Sequence, residues 1–265
     1  MSAIGILRRR AVLALAGLLA FSQAAAADEI HVVMSAALTP PLQALTPAFE
    51  RESGHKLIVT GGPSMGETFN TVPARMARGE PADVVIVTRG ALDLLVKNRK
   101  VRAGSETDLA NSPIAMAVKA GAPVPDISTT AKLKQVLLNA KSIAYSDSAS
   151  GVYIETKMYP RLGIAAAVKA KSTMILATPV AETVARGEAE VGFQQLSELI
   201  PVPGITIVGL IPDEMQQITT FSAGIAANAT APAAGQALIA FLASPKAWKA
   251  MRDAGVEPAS AIKGR

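Results

Sequence analysis

The chain has 265 residues, of which 50% are hydrophobic and 4% aromatic, with no cysteine and two histidines. Without cysteine there are no disulfides, thiol nucleophiles or Cys-ligated metals, and a metal site or a His-based triad would have to use His31 or His55, which stand in no recognisable motif. The formal net charge is +5, but too few aromatic residues lie among the basic ones to favour nucleic-acid binding.

Residues 1–27 have the order of a secretory signal peptide: three arginines (Arg8–Arg10), an apolar run (Ala11–Phe21) and small residues (Ala24–Ala27). The apolar run is shorter than the roughly 20 residues that cross a bilayer. We therefore expect cleavage near Ala27 and export to the periplasm, with an uncleaved anchor as the alternative. The segment holds three of the 26 Lys and Arg residues and none of the 21 acids, so the remaining chain has a net charge of +2, which is weak evidence for a polyanionic partner.

The first unit after this segment predicts a strand, a turn and a helix. Ile30–Met34 is a strand pattern, and Ser35, Ala36 and Ala37 form the turn. The helix that follows has apolar residues at helical spacing: Leu38, Leu42, Leu45 and Phe49.

The rest of the chain repeats this alternation, which is typical of an α/β fold. The patterns predict strands over 57–60, 84–87, 113–119, 143–145 and 217–226, and helices over 67–77, 91–99, 132–140 and 232–255, the last with a joint at Ser244-Pro245. An internal echo, "ARGEPADVVI" at 77–86 and "ARGEAEVGFQ" at 185–194, predicts two similar halves in which Gly79 and Gly187 cap helices.

Three predicted strand-to-helix turns carry serine or glycine: 34–38, 61–66 and 146–152. In open α/β sheets ligands bind beyond the carboxyl ends of strands, and helix N-termini offer free amides and partial positive charge to anions. If the turns converge, they form an anion site. The alternative is that these residues are ordinary caps and turns.

The order of several segments resembles the periplasmic molybdate-binding family of ABC-transporter solute-binding proteins. The segments are "MSAALTPPLQALTPAFERESGHKLIV", "GGPSMGETF", "ARGEPADVVIVTRGALDLLV", "SDSASGVYIETKMYPRLGI" and "ARGEAEVGFQQLSEL". The resemblance implies the type II periplasmic-binding-protein fold, with two α/β lobes around a ligand cleft. We expect lobe 1 to comprise 28–111 and 221–265, and lobe 2 to comprise 112–220. Ser35 and Ser64 match the two serines of the family that hold the anion.

The chain departs from that family where molybdate binders carry Asp-Pro and a ligand Tyr, because it has "SDSASGVY" and Gln194-Gln195 there. These departures favour an organic acid over molybdate. Arg89 could bind a carboxylate through two parallel hydrogen bonds, or it could be a solvated residue at a helix start. The residues expected to bind the ligand are Ser35, Ala36, Pro63, Ser64, Met65, Arg89, Ser150, Gly151, Val152, Gln194 and Gln195.

A divergent branch of the family includes a periplasmic aconitate isomerase, and the Gly-Pro-Ser and Ser-Gly-Val-Tyr segments are similar to that branch. Isomerisation between cis- and trans-aconitate moves a proton next to a carboxylate, which needs an acid/base group but in principle no cofactor or metal. Candidate catalytic residues are Tyr153, Glu155 and Lys157, with Asp147 a further candidate. Glu155 and Lys157 could instead lie on a solvated helix face, and Asp147 could cap a helix. Simple capture of an anion for an inner-membrane ABC transporter remains the alternative function.

Overall fold

The computed structural model of the chain describes residues 27–66 and 68–262. The predicted signal peptide, apart from Ala27, therefore lies outside the described residues. The strands are β1 (Glu29–Ser35), β2 (Lys56–Gly62), β3 (Val84–Thr88), β4 (Thr107–Ser112), β5 (Ile114–Lys119), β6 (Ile143–Ser146), β7 (Ser172–Ile175), β8 (Val191–Gln195), β9 (Ile205–Leu210), β10 (Thr219–Ile225) and β11 (Glu257–Pro258).

Helices alternate with these strands. The α-helices are α1 (Thr39–Ser53), α2 (Val72–Ala77), α3 (Arg89–Lys97), α4 (Thr130–Asn139), α5 (Ala149–Tyr153), α6 (Tyr159–Leu162), α7 (Ala165–Val168), α8 (Val180–Arg186), α9 (Leu196–Leu199), α10 (Pro232–Ala243), α11 (Pro245–Asp253) and α12 (Ala259–Ile262). A π-helical turn, Ile154–Met158, joins α5 to α6, and Ala36–Leu38 form a 3₁₀ turn before α1. No helix in the described part of the chain combines the length and apolar character that crossing a membrane requires.

The strands form two separate mixed sheets. One has the order β11-β4-β10-β3-β1-β2 and the other β7-β6-β8-β5-β9. We call the units built on them lobe 1 and lobe 2. The chain passes between the sheets at Ser112-Pro113 and again between β9 and β10. Two α/β lobes, as the internal echo and the family resemblance predicted, are therefore present.

Each sheet is covered on both faces, and its central strands are therefore rich in consecutive apolar residues. All five residues of β3 are buried. In lobe 1, one face packs on Phe49 and Leu238, and the other on Val72 and Leu92. Lobe 2 has its main core on the face that includes Phe193.

Parallel pairing brings the carboxyl ends of several strands to one edge of each sheet. Ser35 at the end of β1 is paired with Gly62 at the end of β2. In lobe 2, Ser146 at the end of β6 is paired with Ile175 of β7, and β8 runs parallel to β6 on its other side. This edge is where α/β sheets bind ligands.

The structure differs from the sequence prediction in the second helix. It starts at Val72 instead of residue 67, because Thr71 is its N-cap and accepts from the Ala74 N–H at 3.3 Å. The described residues of 63–71 form a loop that folds back on β2, closed by a 2.9 Å hydrogen bond from Val72 N–H to the Pro63 carbonyl.

Other differences concern a predicted loop and a strand that was not predicted. Ser150 and Gly151, expected in a loop, lie inside α5. Strand β4 was not predicted, because "TDLANS" lacks apolar alternation and is recruited by pairing with β10. The internal echo is confirmed, because Gly79 and Gly187 follow the ends of α2 and α8 in the left-handed conformation, with φ of 73° and 78°.

Candidate functional site

A cavity of about 190 Å³ lies between the lobes at the carboxyl ends of the strands. This volume is large enough for several water molecules and suits a small ligand. Its described lining residues are Ser35, Ala36, Gly61, Gly62, Pro63, Asn70, Ser146, Asp147, Ser148, Ala177, Thr178, Pro179, Gln194 and Glu198. Both lobes contribute to it.

The lobe 1 wall is set by the end of the β1–β2 pair. Ser35 is 6% exposed and extended in conformation, directly before the 3₁₀ turn. A Cβ on the neighbouring Gly62 would lie 2.0 Å from the Asn70 carbonyl oxygen, so only glycine allows the loop to close this tightly. The loop therefore presents backbone to the cavity.

The lobe 2 wall begins at the end of β6 and continues into the helical segment 149–162. The Ser146 hydroxyl lies 3.0 Å from that of Ser150, which is fully buried. A Cβ on Gly151 would lie 1.6 Å from the Ser146 carbonyl oxygen, so glycine is required there too. The helix start thus sits directly against the strand end, with its amide end toward the cavity-lining residues, where negative charge is stabilised.

Asp147 lines the cavity beside this helix start. Its carboxylate accepts a 3.3 Å hydrogen bond from the Ala177 N–H. Ala177 has φ of 59°, a left-handed conformation that is uncommon for a residue other than glycine. The loop before α8 is therefore held in an unusual conformation at the site, with Asp147 as one of its contacts.

Glu198 is the second carboxylate of the cavity, and it comes from α9 at the end of β8. Its pKa is raised to about 7, mainly by burial and also by the negative charge of Asp147, while hydrogen bonds from the Gln194 side chain and the Gln195 backbone N–H act in the opposite direction. The backbone contact follows a helix-start pattern, since Gln195 is the N-cap and Glu198 is the third helical residue. Glu198 is therefore poised to exchange a proton near neutral pH.

Gln194 connects Glu198 to the opposite helix. Its side-chain oxygen accepts a 2.9 Å hydrogen bond from the Val180 N–H at the start of α8, and its nitrogen side contacts Glu198. The side chain is 3% exposed. This arrangement fixes both the Gln194 amide and the Glu198 carboxyl.

The cavity has an unusual charge balance for an anion site. Among its described lining residues, Asp147 and Glu198 carry carboxyl groups and none is Lys, Arg or His. Ligand binding would rely on hydroxyls, amides and backbone N–H groups. Within the described residues, no cluster of three or more His, Cys, Asp and Glu side chains could hold a metal ion.

The structure brings some of the residues predicted from the sequence to the cavity. Ser35, Ala36, Pro63, Gln194 and Asp147 line it. Ser150 and Gly151 stand behind its lobe 2 wall, as described above. The converging turns are therefore one site, joined by the loop before α8.

Other predicted residues stand near the cavity without lining it. The Ser64 hydroxyl is buried and accepts a 3.2 Å hydrogen bond from the Thr88 N–H, so it fixes the loop to β3. Met65 is half-buried. Val152 is 37% exposed and lines an adjacent groove with Leu176 of lobe 2.

Arg89 does not reach the cavity. Its guanidinium binds Asp93 at 2.9 Å and Asp108 at 3.1 Å on an exposed face of lobe 1. The two carboxylates raise its pKa. The alternative of a surface residue at a helix start is the one that the structure shows.

The three predicted catalytic residues are also directed elsewhere. The Tyr153 hydroxyl donates to the Met215 carbonyl at 2.7 Å and accepts from Arg161 at 3.2 Å, inside lobe 2. Glu155 is exposed and contacts Tyr145, whose pKa is raised to about 12 by burial and by that neighbouring charge. Lys157 is exposed on the same helical segment. None of the three is among the lining residues of the cavity.

Gln195 lies at the crossing between the lobes. Its amide oxygen accepts from the Thr219 hydroxyl at 3.0 Å and its nitrogen donates to the Ser112 hydroxyl at 2.8 Å, an orientation that satisfies both amide atoms. Ser112 and Thr219 are the ends of β4 and β10 at which the chain passes between sheets. Gln195 therefore links both crossing segments.

Sequence reasoning missed a set of lining residues. These are Asn70, Ala177, Thr178, Pro179 and Glu198, while Gly61, Gly62, Ser146 and Ser148 lie within the predicted turns 61–66 and 146–152. Glu198 had a usable signal, because Gln195 and Glu198 have the spacing of a helix N-cap and its partner after a buried strand. The loop 177–179 had a weaker one, a Thr-Pro pair before a helix.

Comparison with known proteins gives a consistent result. Residues 30–257 match the family described as bacterial extracellular solute-binding protein. The chain is 48% identical over 232 residues to the aconitate isomerase of a Pseudomonas species, a match that covers 88% of each chain. It is 28% identical over 253 residues to the molybdate-binding protein ModA of Azotobacter vinelandii, which covers 93% of this chain and 96% of that one.

A solved structure shows the same architecture. The periplasmic molybdate-binding protein of Azotobacter vinelandii superposes with a TM-score of 0.70 at 21% identity, covering 86% of this chain and 98% of that one. The resemblance and the two-lobed periplasmic-binding fold predicted from the sequence are both confirmed.

Proposed function

Because the chain belongs to the bacterial extracellular solute-binding protein family, we propose that its cavity binds a small carboxylate and that the protein is an aconitate isomerase. The observation that carries this proposal is the presence of two carboxyl side chains, Asp147 and Glu198, in the cavity. A site for passive anion capture gains nothing from negative side chains. A site that moves a proton on its ligand needs acid/base groups.

The neutral part of the cavity supports the binding of an organic acid. Ser35, Ser146 and Ser148 supply hydroxyls, and the glycine loop 61–62 allows its backbone to approach the ligand. Backbone amides at a helix start stabilise carboxylate charge. When the double bond moves, charge spreads onto the carboxylate oxygens, and donors already in place stabilise that charge without reorganising.

The reaction itself tests this proposal. Purified residues 28–265 are incubated with cis-aconitate in D₂O at pH 7, and the trans isomer and deuterium incorporation are followed by proton NMR. We expect trans-aconitate to accumulate with deuterium on carbon. A spectrum that stays constant over hours at micromolar protein would refute the proposed isomerase function.

The alternative is non-catalytic delivery of an organic acid or an oxyanion such as molybdate to an inner-membrane ABC transporter. The similarity to a molybdate-binding protein, 28% over nearly the whole chain, favours testing it. Calorimetry with molybdate and with tricarballylate, the saturated tricarboxylate, separates the cases. Tight molybdate binding without isomerisation would establish capture instead.

The proposal also places the protein in the periplasm after removal of residues 1–27. The family is described as extracellular, which agrees with export. Mass spectrometry of the protein from a periplasmic fraction should give an N-terminus at Asp28. Retention of Met1 in a membrane fraction would support an uncleaved anchor.

A further inference from the structure

We propose that Asp147 and Glu198 act as the proton-transfer pair of the cavity, with Asp147 as the base and Glu198 as the acid. This inference rests on the proposed function and assigns its chemistry to two residues. It replaces Tyr153, Glu155 and Lys157, whose side chains do not line the cavity.

The position of each carboxyl group supports a different role. Asp147 is partly exposed and holds one hydrogen bond, from the Ala177 N–H. Glu198 is likewise half-buried, but its carboxyl group is fixed through the buried Gln194 side chain, which also accepts from the Val180 N–H. A carboxyl group that is fixed beside another negative charge and has a raised pKa keeps its proton to a higher pH, which suits Glu198 to the role of acid.

The charged groups near Glu198 do not contradict this assignment of acid and base. Asp147 is the other charged side chain among the described lining residues. α9 packs on residues 36–38, β5 and β8, which are neutral except for Lys119, and its Leu196 lies beside Gly255, near which Arg252 is paired with Glu257 at 3.0 Å. Lys119 lies at the other end of β5 from Ala115, the partner of Gln194. No cation among these elements offsets the two carboxyl groups.

The step balances without a cofactor. The Asp147 carboxylate takes a proton from the methylene carbon of aconitate, and the C–H electron pair joins the adjacent double bond and carboxylate as a delocalised dienolate. The Glu198 carboxyl group then gives its proton to the former vinylic carbon, and the double bond is left on the opposite side. Asp147 is now protonated and Glu198 ionised, and exchange of one proton through water restores the starting state.

The test uses isosteric variants, Glu198→Gln and Asp147→Asn, with Glu182→Gln as the matched control. Glu182 is an exposed residue of α8 that forms a 3.8 Å ion pair with Arg186. We expect each cavity variant to lose at least about 100-fold in turnover of cis-aconitate, the usual contribution of a positioned acid or base. The control should retain wild-type turnover.

Binding separates catalysis from folding. At pH 6 the Kd for tricarballylate should stay within about threefold of wild type in Glu198→Gln, because the amide replaces a neutral carboxyl group. Above pH 8 the variant should bind more tightly than wild type, since ionised Glu198 repels the ligand. For wild type, kcat/KM should fall as the pH rises through about 7, the pKa of Glu198.

The outcomes separate this inference from the proposed function. If wild type isomerises aconitate and Glu198→Gln retains more than a third of the turnover, the pair is refuted and the isomerase function stands. If wild type does not isomerise aconitate, the function and the pair both fail. Loss of turnover with retained tricarballylate binding supports both.

Discussion

Asp147 and Glu198 enter one cavity from the ends of different strands, and the charge of Asp147 adds to burial in raising the pKa of Glu198 to about 7. The two residues are 51 positions apart in the chain, so only the parallel arrangement of β6 and β8 brings them together. Because its pKa is raised, Glu198 should also affect the stability of the folded protein, independently of any ligand.

Replacing Glu198 by Gln should make stability less dependent on pH. Its pKa is raised from 4.5 to about 7 in the folded state, so the stability of the wild-type protein falls as the pH rises from about 4.5 to about 7 and levels off above that. At pH 8 we expect Glu198→Gln to be more stable by up to about 3 kcal/mol. Urea unfolding at pH 4.5 and pH 8 measures this, and an equal difference at both pH values would contradict the raised pKa.

Gly151→Ala should disrupt the lobe 2 wall. An added Cβ would meet the Ser146 carbonyl oxygen at 1.6 Å, and a backbone atom cannot rotate away. We expect a loss of about 3 kcal/mol or more in unfolding free energy. Gly90→Ala is the control, because nothing lies within 4 Å of its added Cβ in α3, and it should gain up to about 1 kcal/mol. Similar thermal midpoints for the two variants would refute the tight contact.

Arg89→Ala should leave ligand binding unchanged. Its guanidinium is occupied by Asp93 and Asp108, and the side chain is 43% exposed. Exposed ion pairs of this kind contribute about 0–1 kcal/mol to stability. Because Arg89 does not line the cavity, calorimetry with tricarballylate should give a Kd within about twofold of wild type. A tenfold higher Kd would show that Arg89 takes part in ligand binding.

Tyr153→Phe distinguishes a structural hydroxyl from a catalytic one. The change leaves the buried Met215 carbonyl without its 2.7 Å partner, which should cost about 1 kcal/mol of stability. Turnover of cis-aconitate should remain within about twofold of wild type, since the hydroxyl does not line the cavity. A loss of turnover greater than about tenfold at normal KM would show that the Tyr153 hydroxyl takes part in catalysis.

Much of the fold could be predicted because its determinants are local. The apolar runs of β1, β3 and β5 and the periodic Leu42, Leu45 and Phe49 of α1 reflect burial on one or both faces. Strand β4 was missed, because its polar sequence is ordered by pairing with β10. The division of the lobes at 111/112 and 220/221 and the signal peptide over 1–27 stay predictions.

By itself the sequence determined that strands are followed by serine- and glycine-rich turns, because helix capping and close backbone approach depend on neighbouring residues. The tertiary structure decided which side chains meet. Pairing placed Ser35 beside Gly62, packing directed Tyr153 into lobe 2, and Glu198 entered the cavity beside Asp147. The acidity of Glu198 depends on the water and charge around it, and those are set by residues that are distant in the chain.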